Sequence, residues 1–491
     1  MRPRTGPPAP APATWRRRPG RTPGGRCPDR SGARAADAPG TSDPNGLFCS
    51  FPSDLPSIVH LTLPASRTLG SPALARGLTL GGTLPDAARM RATDFLNYYP
   101  VKYDDAAAPD QISFVAGVAP GVLSNEIVLQ VAVQPPKQFT RPKVALAVVV
   151  DTSLSMAGSS IKRARAAAKA LADSLQTGDV FTVITAKRAA PAKPITIASG
   201  ADQDEARALA EGLVLDGGGD LAGALEDAYD AVGKALTDAA LAGGLGRVVI
   251  ISDGAAQPTS IDLGLVAGNR EERQISLIGV GVGEAATYRS DFIDIATSIG
   301  GGGSLYLDRE DAAEPLLHQR FDELMATVAT DIEVTVTLPQ VLRFQSQSLP
   351  QAVQADSPTG LVTATLGPGR ALVLRNTLQT CLGAIDALGD SVIGVTVRWK
   401  PAGATEPQTS ADVGGTVADL LKRSPSQIAK AGAIAAYGEA LANVRPTLFQ
   451  QAIDMAGAAM KGDPTLQDDA ALLEIQSLAQ ANLDIIAKTT P

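Results

Sequence analysis

The chain has 491 residues, a formal net charge of −8 and 44% hydrophobic residues, a composition typical of a globular protein of two or three domains. Arginine is concentrated in the first forty residues, and the remainder of the chain is acidic. An acidic folded part argues against nucleic-acid binding.

The N-terminal region, residues 1–83, is biased towards Pro, Arg and Gly near its start. Because such a composition cannot bury enough apolar surface, we predict that this region is disordered. It lacks the continuous apolar core typical of a signal peptide, and a true start further downstream is an alternative. No run of about 18 apolar residues occurs, so no transmembrane segment is predicted.

Cysteine and histidine are too sparse to indicate a site. Cys27, Cys49 and Cys381 lie far apart without a CxxC pair, so we expect three unrelated thiols rather than a zinc site or a disulfide framework. The two histidines, His60 and His318, are isolated in the sequence, which argues against a Ser-His-Asp hydrolase or a His-rich metal site.

Residues 84–142 are predicted to form a β-rich flanking segment. LPDAARMRATDFLNYYPVKYD indicates a short helix before extended chain, and ISFVAGVAP and EIVLQVAVQPP have the pattern of antiparallel strands. From 143 to 329, buried strands such as AVVVDTSLSM and RVVIISDG alternate with amphipathic helices, the last predicted from Ala312 to Ala329. This alternation predicts one α/β domain with a doubly wound parallel sheet.

The pattern of apolar residues changes twice in the C-terminal part of the chain. Residues 330–412 return to period-two strands, which we expect to pair with residues 84–142 in a β-sandwich that carries the α/β domain as an insertion. Residues 413–491 have a helical pattern that is broken at Pro425, Pro446 and Pro464.

Oxygen-bearing side chains follow three predicted strand ends of the α/β domain. They are Asp151, Ser153 and Ser155 after the first strand, Asp220 in DGGGDLAG and Asp253 in VVIISDG. Each segment alone is also typical of a helix cap or a turn. Ligands of open parallel sheets bind beyond the carboxyl ends of the strands, and carboxylates with hydroxyls suit a hard cation such as Mg²⁺ or Ca²⁺. Their joint occurrence therefore predicts a metal site.

DTSLSM resembles the DxSxS motif of von Willebrand factor type A domains, and ISDG resembles the later Asp loop of that family. The resemblance implies a Rossmann-like domain with a metal-ion-dependent adhesion site that holds Mg²⁺, Ca²⁺ or Mn²⁺. It further implies that Asp151, Ser153 and Ser155 are ligands, direct or through water, and that Asp253 acts on the cation mainly through water.

The Gly-rich loop departs from the family pattern. The remaining ligand of the family is usually a Thr in a loop such as GGST, whereas this loop reads GGGD and Asp220 stands where the Thr would. A coordinating Asp220 would hold the cation more strongly but make it less attractive to an acidic partner.

The flanking segments LPDAARMRATDFLNYYPVKYD and VADLLKRSPSQIAKAGAIAAYGEAL are similar to those of a group of bacterial von Willebrand factor A proteins. Members of that group are often exported or anchored as lipoproteins, which implies a place in the cell envelope. Neither PGGRC nor GLFCS, which contain Cys27 and Cys49, follows an apolar leader.

The sequence therefore predicts a divalent-cation-dependent module that binds an unidentified protein, with no catalytic residue and no organic cofactor. GVGVGE, Gly279–Glu284, resembles a dinucleotide fingerprint, but Glu284 replaces its last Gly and the loop follows a late strand. Two alternatives remain open, namely a cytoplasmic scaffold that acts with an AAA+ ATPase and a metal-assisted hydrolase.

Two further features are predicted to have no chemical role. Lys162, Arg163 and Arg165 follow the DxSxS motif on a predicted helix and are expected to form a solvated face. Gly300–Gly303 are expected to form a flexible turn before the last strand of the domain.

Overall fold

The computed structural model describes most of the chain beyond residue 40. The described residues are 41–42, 49–51, 58–62, 67–103, 111–121, 123–186, 193–255, 261–345, 352–353, 364–369, 371–382, 384–404, 408–409 and 412–489.

The strands of these residues fall into parallel and antiparallel sheets. They are β1 (Thr41–Ser42), β2 (Cys49–Ser50), β3 (Ile58–Thr62), β4 (Arg67–Thr68), β5 (Ser113–Pro120), β6 (Glu126–Gln134), β7 (Val144–Val150), β8 (Val180–Thr185), β9 (Ile195–Thr196), β10 (Leu245–Ser252), β11 (Ile275–Gly281), β12 (Gly301–Tyr306), β13 (Ala329–Thr337), β14 (Leu342–Phe344), β15 (Ala352–Val353), β16 (Ala364–Leu366), β17 (Leu372–Thr380), β18 (Val392–Pro401), β19 (Gln408–Thr409) and β20 (Gly415–Thr416).

The helices lie between the strands of the α/β unit and at the C-terminal end. They are α1 (Gly70–Leu80), α2 (Ala92–Tyr98), α3 (Ser159–Asp173), α4 (Gly200–Glu211), α5 (Leu221–Leu236), α6 (Leu263–Arg273), α7 (Asp291–Ile299), α8 (Phe321–Met325), α9 (Val417–Leu420), α10 (Pro425–Asn443), α11 (Pro446–Gly462) and α12 (Ala470–Thr489).

A seven-stranded sheet in the order β4-β12-β11-β10-β7-β8-β9 forms the α/β unit. Its neighbouring strands are parallel except for β9, which is antiparallel to β8. All seven residues of β7 are buried, as expected of a parallel strand that is covered on both faces. Helices α5 and α7 pack on one face, and α3 and α4 pack on the other. The predicted doubly wound α/β fold is confirmed.

Two antiparallel sheets are built from chain segments on both sides of the α/β unit. One has the order β14-β17-β6-β5, and the other has the order β15-β3-β13-β18-β19, with β16 and β20 on additional pairings. Strand β17 pairs with β6 from Leu372 opposite Val133 to Gln379 opposite Glu126. Apolar side chains of both sheets share one core cluster. That these sheets are one β-sandwich with an inserted domain, and where the domain boundaries lie, remain predictions.

The C-terminal region is helical, as the sequence predicts. Pro425 and Pro446 begin α10 and α11, where the missing backbone N–H costs no hydrogen bond, and Pro464 begins a single 3₁₀ turn. Helix α10 packs on α2 through an edge-to-face contact of Phe95 and Tyr437, whose ring centroids are 5.5 Å apart. The region thus has an apolar interface with the rest of the chain.

The prediction that residues 1–83 are disordered is wrong for its C-terminal part. Strand β3 pairs with β13, and α1 buries Ala73, Leu74 and Leu78 in the same apolar cluster as residues of the α/β unit. The compositional argument rests on the Arg- and Pro-rich start of the chain, whereas the later stretch LGSPALARGLTL supplies enough apolar side chains to pack.

The expectation of three unrelated thiols is also wrong. Cys49 and Cys381 form a disulfide with an S–S distance of 2.09 Å and a Cα–Cα distance of 5.9 Å. The two residues are 332 positions apart in the sequence, and only the tertiary fold brings them together. Spacing along the sequence carries no information about such a pair.

Two local predictions at the end of the α/β unit need correction. The expected turn at Gly300–Gly303 belongs mostly to β12, where a Cβ on Gly302 would lie 1.9 Å from the carbonyl oxygen of Leu277. The single helix expected from Ala312 to Ala329 is instead a 3₁₀ turn, a π turn and the short α8. Pro315 stands in the first positions of the π turn, so it marks a new start rather than the interior of a continuous helix.

Candidate metal site

The parallel register brings the ends of β7 and β10 together. Val150 lies opposite Ile251, and the backbone N–H of Asp151 donates to the carbonyl of Ile251 over 2.9 Å. The chain leaves β10 at Ser252 and continues directly to Asp253. Two of the three predicted segments therefore meet at the carboxyl edge of the sheet.

Asp151 is held in one orientation beneath this edge. Its side chain is buried, and its Oδ1 accepts a hydrogen bond from the backbone N–H of Ser153 over 3.0 Å. Its Oδ2 accepts from the hydroxyl of Ser252 over 2.9 Å. The role of Ser252 was not predicted from the sequence, because it depends on the pairing of β7 with β10.

Ser153 and Ser155 present their hydroxyls side by side. Their Oγ atoms are 2.9 Å apart, and both residues reach solvent. They lie in and beside the 3₁₀ turn Leu154–Met156, which is anchored by the fully buried Met156. A left-handed Gly158, with φ of 82°, then starts α3. The spacing of the DxSxS motif thus becomes two adjacent oxygen donors on a fixed turn.

Asp220 is an exposed residue that caps helix α5. Its Oδ1 accepts from the backbone N–H of Gly223 over 3.0 Å. Its own backbone N–H donates to the carbonyl of Ala186 over 2.8 Å, and the N–H of Ala186 donates to the carbonyl of Val150 over 3.0 Å. These bonds place the start of α5 beside the ends of β7 and β8.

The Gly-rich loop before Asp220 is bound to the residue next to Asp151. Thr152 forms an isolated β-bridge with Gly218, and its hydroxyl donates to Oδ1 of Asp216 over 2.6 Å. The sequence analysis missed Thr152 and Asp216 as supports of the site. The only available signal was a hydroxyl and a carboxylate in the two loops, which says nothing about their contact.

Asp253 lies in a tight turn after β10. It is 8% exposed, and its Oδ1 accepts from the backbone N–H of Ala255 over 2.9 Å. Gly283 packs against this turn so closely that a Cβ there would lie 2.5 Å from the carbonyl oxygen of Asp253. The turn after β10 and the loop after β11 are therefore one packed unit.

Arg163 holds that loop in place, and the prediction of a solvated Arg163 is wrong. The guanidinium donates to the carbonyls of Val282 and Gly283 over 3.1 Å and 2.9 Å, and it lies 3.3 Å from Oε1 of Glu284. Arg163 is buried, whereas Lys162 is exposed as expected. Helical spacing alone did not show which of the neighbouring cations points inwards.

Arg165 and Tyr306 reinforce the same region. Arg165 is half-buried and donates to the carbonyl of Leu213 over 2.6 Å, so it is not a freely solvated side chain either. The hydroxyl of Tyr306 donates to the carbonyl of Gly283 over 2.6 Å. Burial raises the pKa of Tyr306, so the phenol stays protonated and keeps this bond at neutral pH.

The side chains at the candidate site offer only oxygen atoms as ligands, which suits a hard cation. In the part of the chain that the structure describes, no group of three His, Cys, Asp or Glu side chains could hold a metal ion. The carboxylates of Asp151, Asp220 and Asp253 thus do not form such a group by themselves. A cation at this edge needs the paired hydroxyls of Ser153 and Ser155 and water as further ligands, which is chemistry that Mg²⁺, Ca²⁺ and Mn²⁺ accept.

Two surface cavities in the described part of the chain lie away from this edge. One surface cavity, of 480 Å³, is lined by residues of α5 and α6 that include Asp230, Lys234 and Arg273. A second, of 400 Å³, lies between α5 and the strands β8 and β9. Neither cavity contains a residue of the candidate site.

Comparison with known proteins matches one segment of the chain to a known domain family. The family model of the von Willebrand factor type A domain matches residues 146–255, which span β7, the Gly-rich loop and β10. No curated protein sequence matches the chain. In the described residues, no helix is both long and apolar enough to cross a membrane.

Several solved structures are similar in outline. A von Willebrand factor type A protein from Catenulispora acidiphila has 15% identity and a TM-score of 0.43, with 74% of this chain and 90% of that chain covered. The ArnB paralog VWA2 from Sulfolobus acidocaldarius has 12% identity and a TM-score of 0.37, with 77% and 97% covered. Manganese-loaded TRAP protein from Plasmodium vivax has 13% identity and a TM-score of 0.27, with 51% and 97% covered. Likenesses at these scores carry no functional argument.

Proposed function

We propose that this chain, which carries a von Willebrand factor type A domain at residues 146–255, binds a partner protein through a divalent cation at the carboxyl edge of its parallel sheet. The role is adhesion or assembly rather than catalysis. The ligands proposed are Asp151, Ser153, Ser155 and Asp220, with Asp253 acting mainly through water.

The observation that carries the proposal is the pair of serine hydroxyls beside a buried carboxylate. The two serine Oγ atoms are 2.9 Å apart, so two neutral oxygen donors lie together. Asp151 supplies a charged carboxylate whose orientation is fixed by the hydroxyl of Ser252. When bound, a cation would supply an open coordination position for an oxygen of the partner. Asp151, Ser153 and Ser155 would provide fixed oxygen ligands for this cation on a face that solvent reaches.

Leu154 supports a protein as the partner. It lies between the two serines and is 76% exposed, on a turn that the buried Met156 keeps in place. Single exposed apolar residues are common on protein surfaces, but this one stands on a rigid turn beside the proposed cation. A partner that reaches the cation would also cover Leu154 and gain hydrophobic contact.

Asp220 tunes which partner groups are attracted. If Asp220 binds the cation, three carboxylates surround one divalent ion, counting Asp151 and Asp253. A further carboxylate from a partner would then meet a site of net negative charge, which is less favourable than a site with a neutral Thr. We therefore expect neutral oxygens of the partner, together with contact at Leu154, to contribute much of the binding.

Metal-assisted hydrolysis finds less support in the geometry. Such a reaction needs a general base that is free to take a proton from water. Glu284 is the nearby glutamate in the packed loop, and it accepts hydrogen bonds from Ser159 and Arg163. Those partners favour a structural role for Glu284.

Calorimetric titration of Mg²⁺, Mn²⁺ and Ca²⁺ into the full chain tests the proposal. We expect saturable binding that the Asp151→Ala variant loses and that Asp454→Ala, an exposed acid on α11, retains. Equal binding by the wild type and Asp151→Ala, or no binding to either, would contradict the proposal. A chelator should also release any protein that the wild type, but not Asp151→Ala, captures.

A further inference from the structure

We infer that Cys49 and Cys381 are an oxidation site of this protein, and that their disulfide fastens residues 49–51, the N-terminal strap, to the four-stranded sheet. The two sulfur atoms are bonded across 332 residues of sequence. Cys49 lies in β2, and Cys381 directly follows β17. This pair lies outside the proposed metal site and is not required by it.

The strap is docked on the sheet through the disulfide and through the buried side chain of Phe51. Its β2 residues pair with β1, which is also part of the N-terminal segment, and not with the four-stranded sheet. In the described part of the strap, Phe51 adds a backbone hydrogen bond to the carbonyl of Gln340 over 2.8 Å. The guanidinium carbon of Arg343 also lies 4.6 Å from the centroid of the Phe51 ring.

These contacts are few for a segment that is so distant in sequence from its binding site. Ordering a chain segment costs conformational entropy, which the buried ring of Phe51 and one backbone hydrogen bond offset only in part. A covalent bond that closes a long loop removes much of that cost from the docking step. We therefore expect the disulfide to act together with these contacts in keeping Phe51 against Gln340 and Arg343.

The chemistry requires an external disulfide as oxidant. Two thiols, of Cys49 and Cys381, exchange with a disulfide of the oxidised glutathione or dithiol oxidoreductase class through a mixed disulfide. One protein S–S bond forms, the S–S bond of the oxidant breaks, and the two electrons and two protons of the thiols leave in the reduced oxidant. Both cysteines are only half-buried, so such a reagent can reach them.

The compartment follows from this chemistry. Structural disulfides form and persist in oxidising environments such as the cell exterior and the periplasm, and they are rare where glutathione and thioredoxin keep thiols reduced. The protein accordingly completes its fold in an oxidising compartment.

Alkylation mapping in a Cys27→Ser background tests the bond without a competing thiol. The full-length protein is oxidised with oxidised glutathione and treated with N-ethylmaleimide under denaturing conditions. One portion is analysed by mass spectrometry directly, and another is analysed after reduction and a second treatment with N-ethylmaleimide. We expect no adduct before reduction, two adducts after it, and a monomer on a non-reducing gel. Two adducts before reduction, or a disulfide-linked dimer, would overturn the inference.

Hydrogen exchange tests the role of the strap. We expect reduction of the native protein, or Cys49→Ser and Cys381→Ser, to remove most of the protection of the Phe51 amide and to leave the amides of β17 protected. Reduction provides this readout even where a serine variant fails to fold. Unchanged protection of Phe51 in the reduced protein would show that the strap docks without the bond, and the inference would be wrong.

Discussion

Asp220 combines a charge at the site edge with the cap of helix α5, so a useful substitution must separate the two. Asp220→Asn removes the charge and keeps a good N-cap. We expect cation affinity to fall by about fivefold to tenfold, which corresponds to about 1 kcal/mol for the loss of one nearby charge. Calorimetric titration measures this change, and an unchanged thermal unfolding curve verifies the cap. An unchanged affinity would show that Asp220 does not act on the cation.

Asp220→Thr introduces the neutral residue type that the resemblance to von Willebrand factor type A domains implies for this position, and it also keeps a cap. We expect the same loss of cation affinity, with stronger binding of a carboxylate-bearing ligand because the site is less negative. If both affinities stay as in the wild type, the charge account of Asp220 is wrong.

Arg163 and Lys162 offer a matched pair of neighbouring cations. Arg163→Met removes the donors to two buried carbonyls beside Asp253, so we expect a loss of about 2–3 kcal/mol in the free energy of unfolding. Lys162→Met, on the exposed side of the same helix, should change it by less than about 0.5 kcal/mol. Urea denaturation measures both, and equal effects would contradict the assigned role of Arg163.

The elements of the α/β unit were predictable where short runs of apolar residues in the sequence indicate buried strands. β7 and β10 are such runs, and their alternation with helices restricts the topology to a parallel sheet. Less was predictable where an element depends on distant partners. Strand β3 forms because β13 offers an edge, and the segment after β12 divides into a 3₁₀ turn, a π turn and α8, which periodicity does not reveal.

The candidate site shows the same division. The DxSxS spacing is local, so the sequence indicated the position of Asp151, Ser153 and Ser155 at a strand end. Ser252, by contrast, reaches Asp151 only because of a register between strands 101 residues apart, which one sequence does not show. The metal role of the predicted residues itself remains a prediction.

The absence of a side chain at Gly302 lets β12 lie close to the backbone of β11. In Gly302→Ala the new Cβ would collide with the carbonyl of Leu277, so we expect a loss of about 1–3 kcal/mol in the free energy of unfolding and weaker pairing of β11 with β12. Gly268→Ala is the control, since nothing lies within contact distance there in helix α6, and it should gain up to about 1 kcal/mol. Chemical denaturation of both variants measures the difference. A neutral Gly302→Ala would contradict the close approach.

Arg76 connects three parts of the chain that are distant in sequence. From α1 its guanidinium donates to both oxygens of Asp308, after β12, over 2.7 Å and 2.8 Å, and to Glu474 of α12 over 2.9 Å. Arg76 and Asp308 are both buried, and hydrogen bonding to Asp308 raises the pKa of Arg76 although burial alone would lower it. Arg76 thus joins the C-terminal helices, through Glu474, to the α/β unit, through Asp308.

Removing one member of this buried pair should be costly. Arg76→Met leaves Asp308 without its main partner, and we expect a loss of about 3–5 kcal/mol in the free energy of unfolding. Arg309 lies 3.4 Å from the same carboxylate but is exposed, so Arg309→Met should cost less than about 1 kcal/mol. Thermal or urea unfolding distinguishes the two, and similar losses would contradict the buried connection.

The proposed function requires one divalent cation on the hydroxyls of Ser153 and Ser155. Anomalous scattering from crystals of the full chain soaked in Mn²⁺ tests for this cation. We expect a single anomalous density peak at about 2.2 Å from both serine Oγ atoms, with Asp151 beneath it. We expect no such peak in crystals of Asp151→Ala. A peak elsewhere on the molecule, or none at this edge in the wild type, would contradict the proposed function.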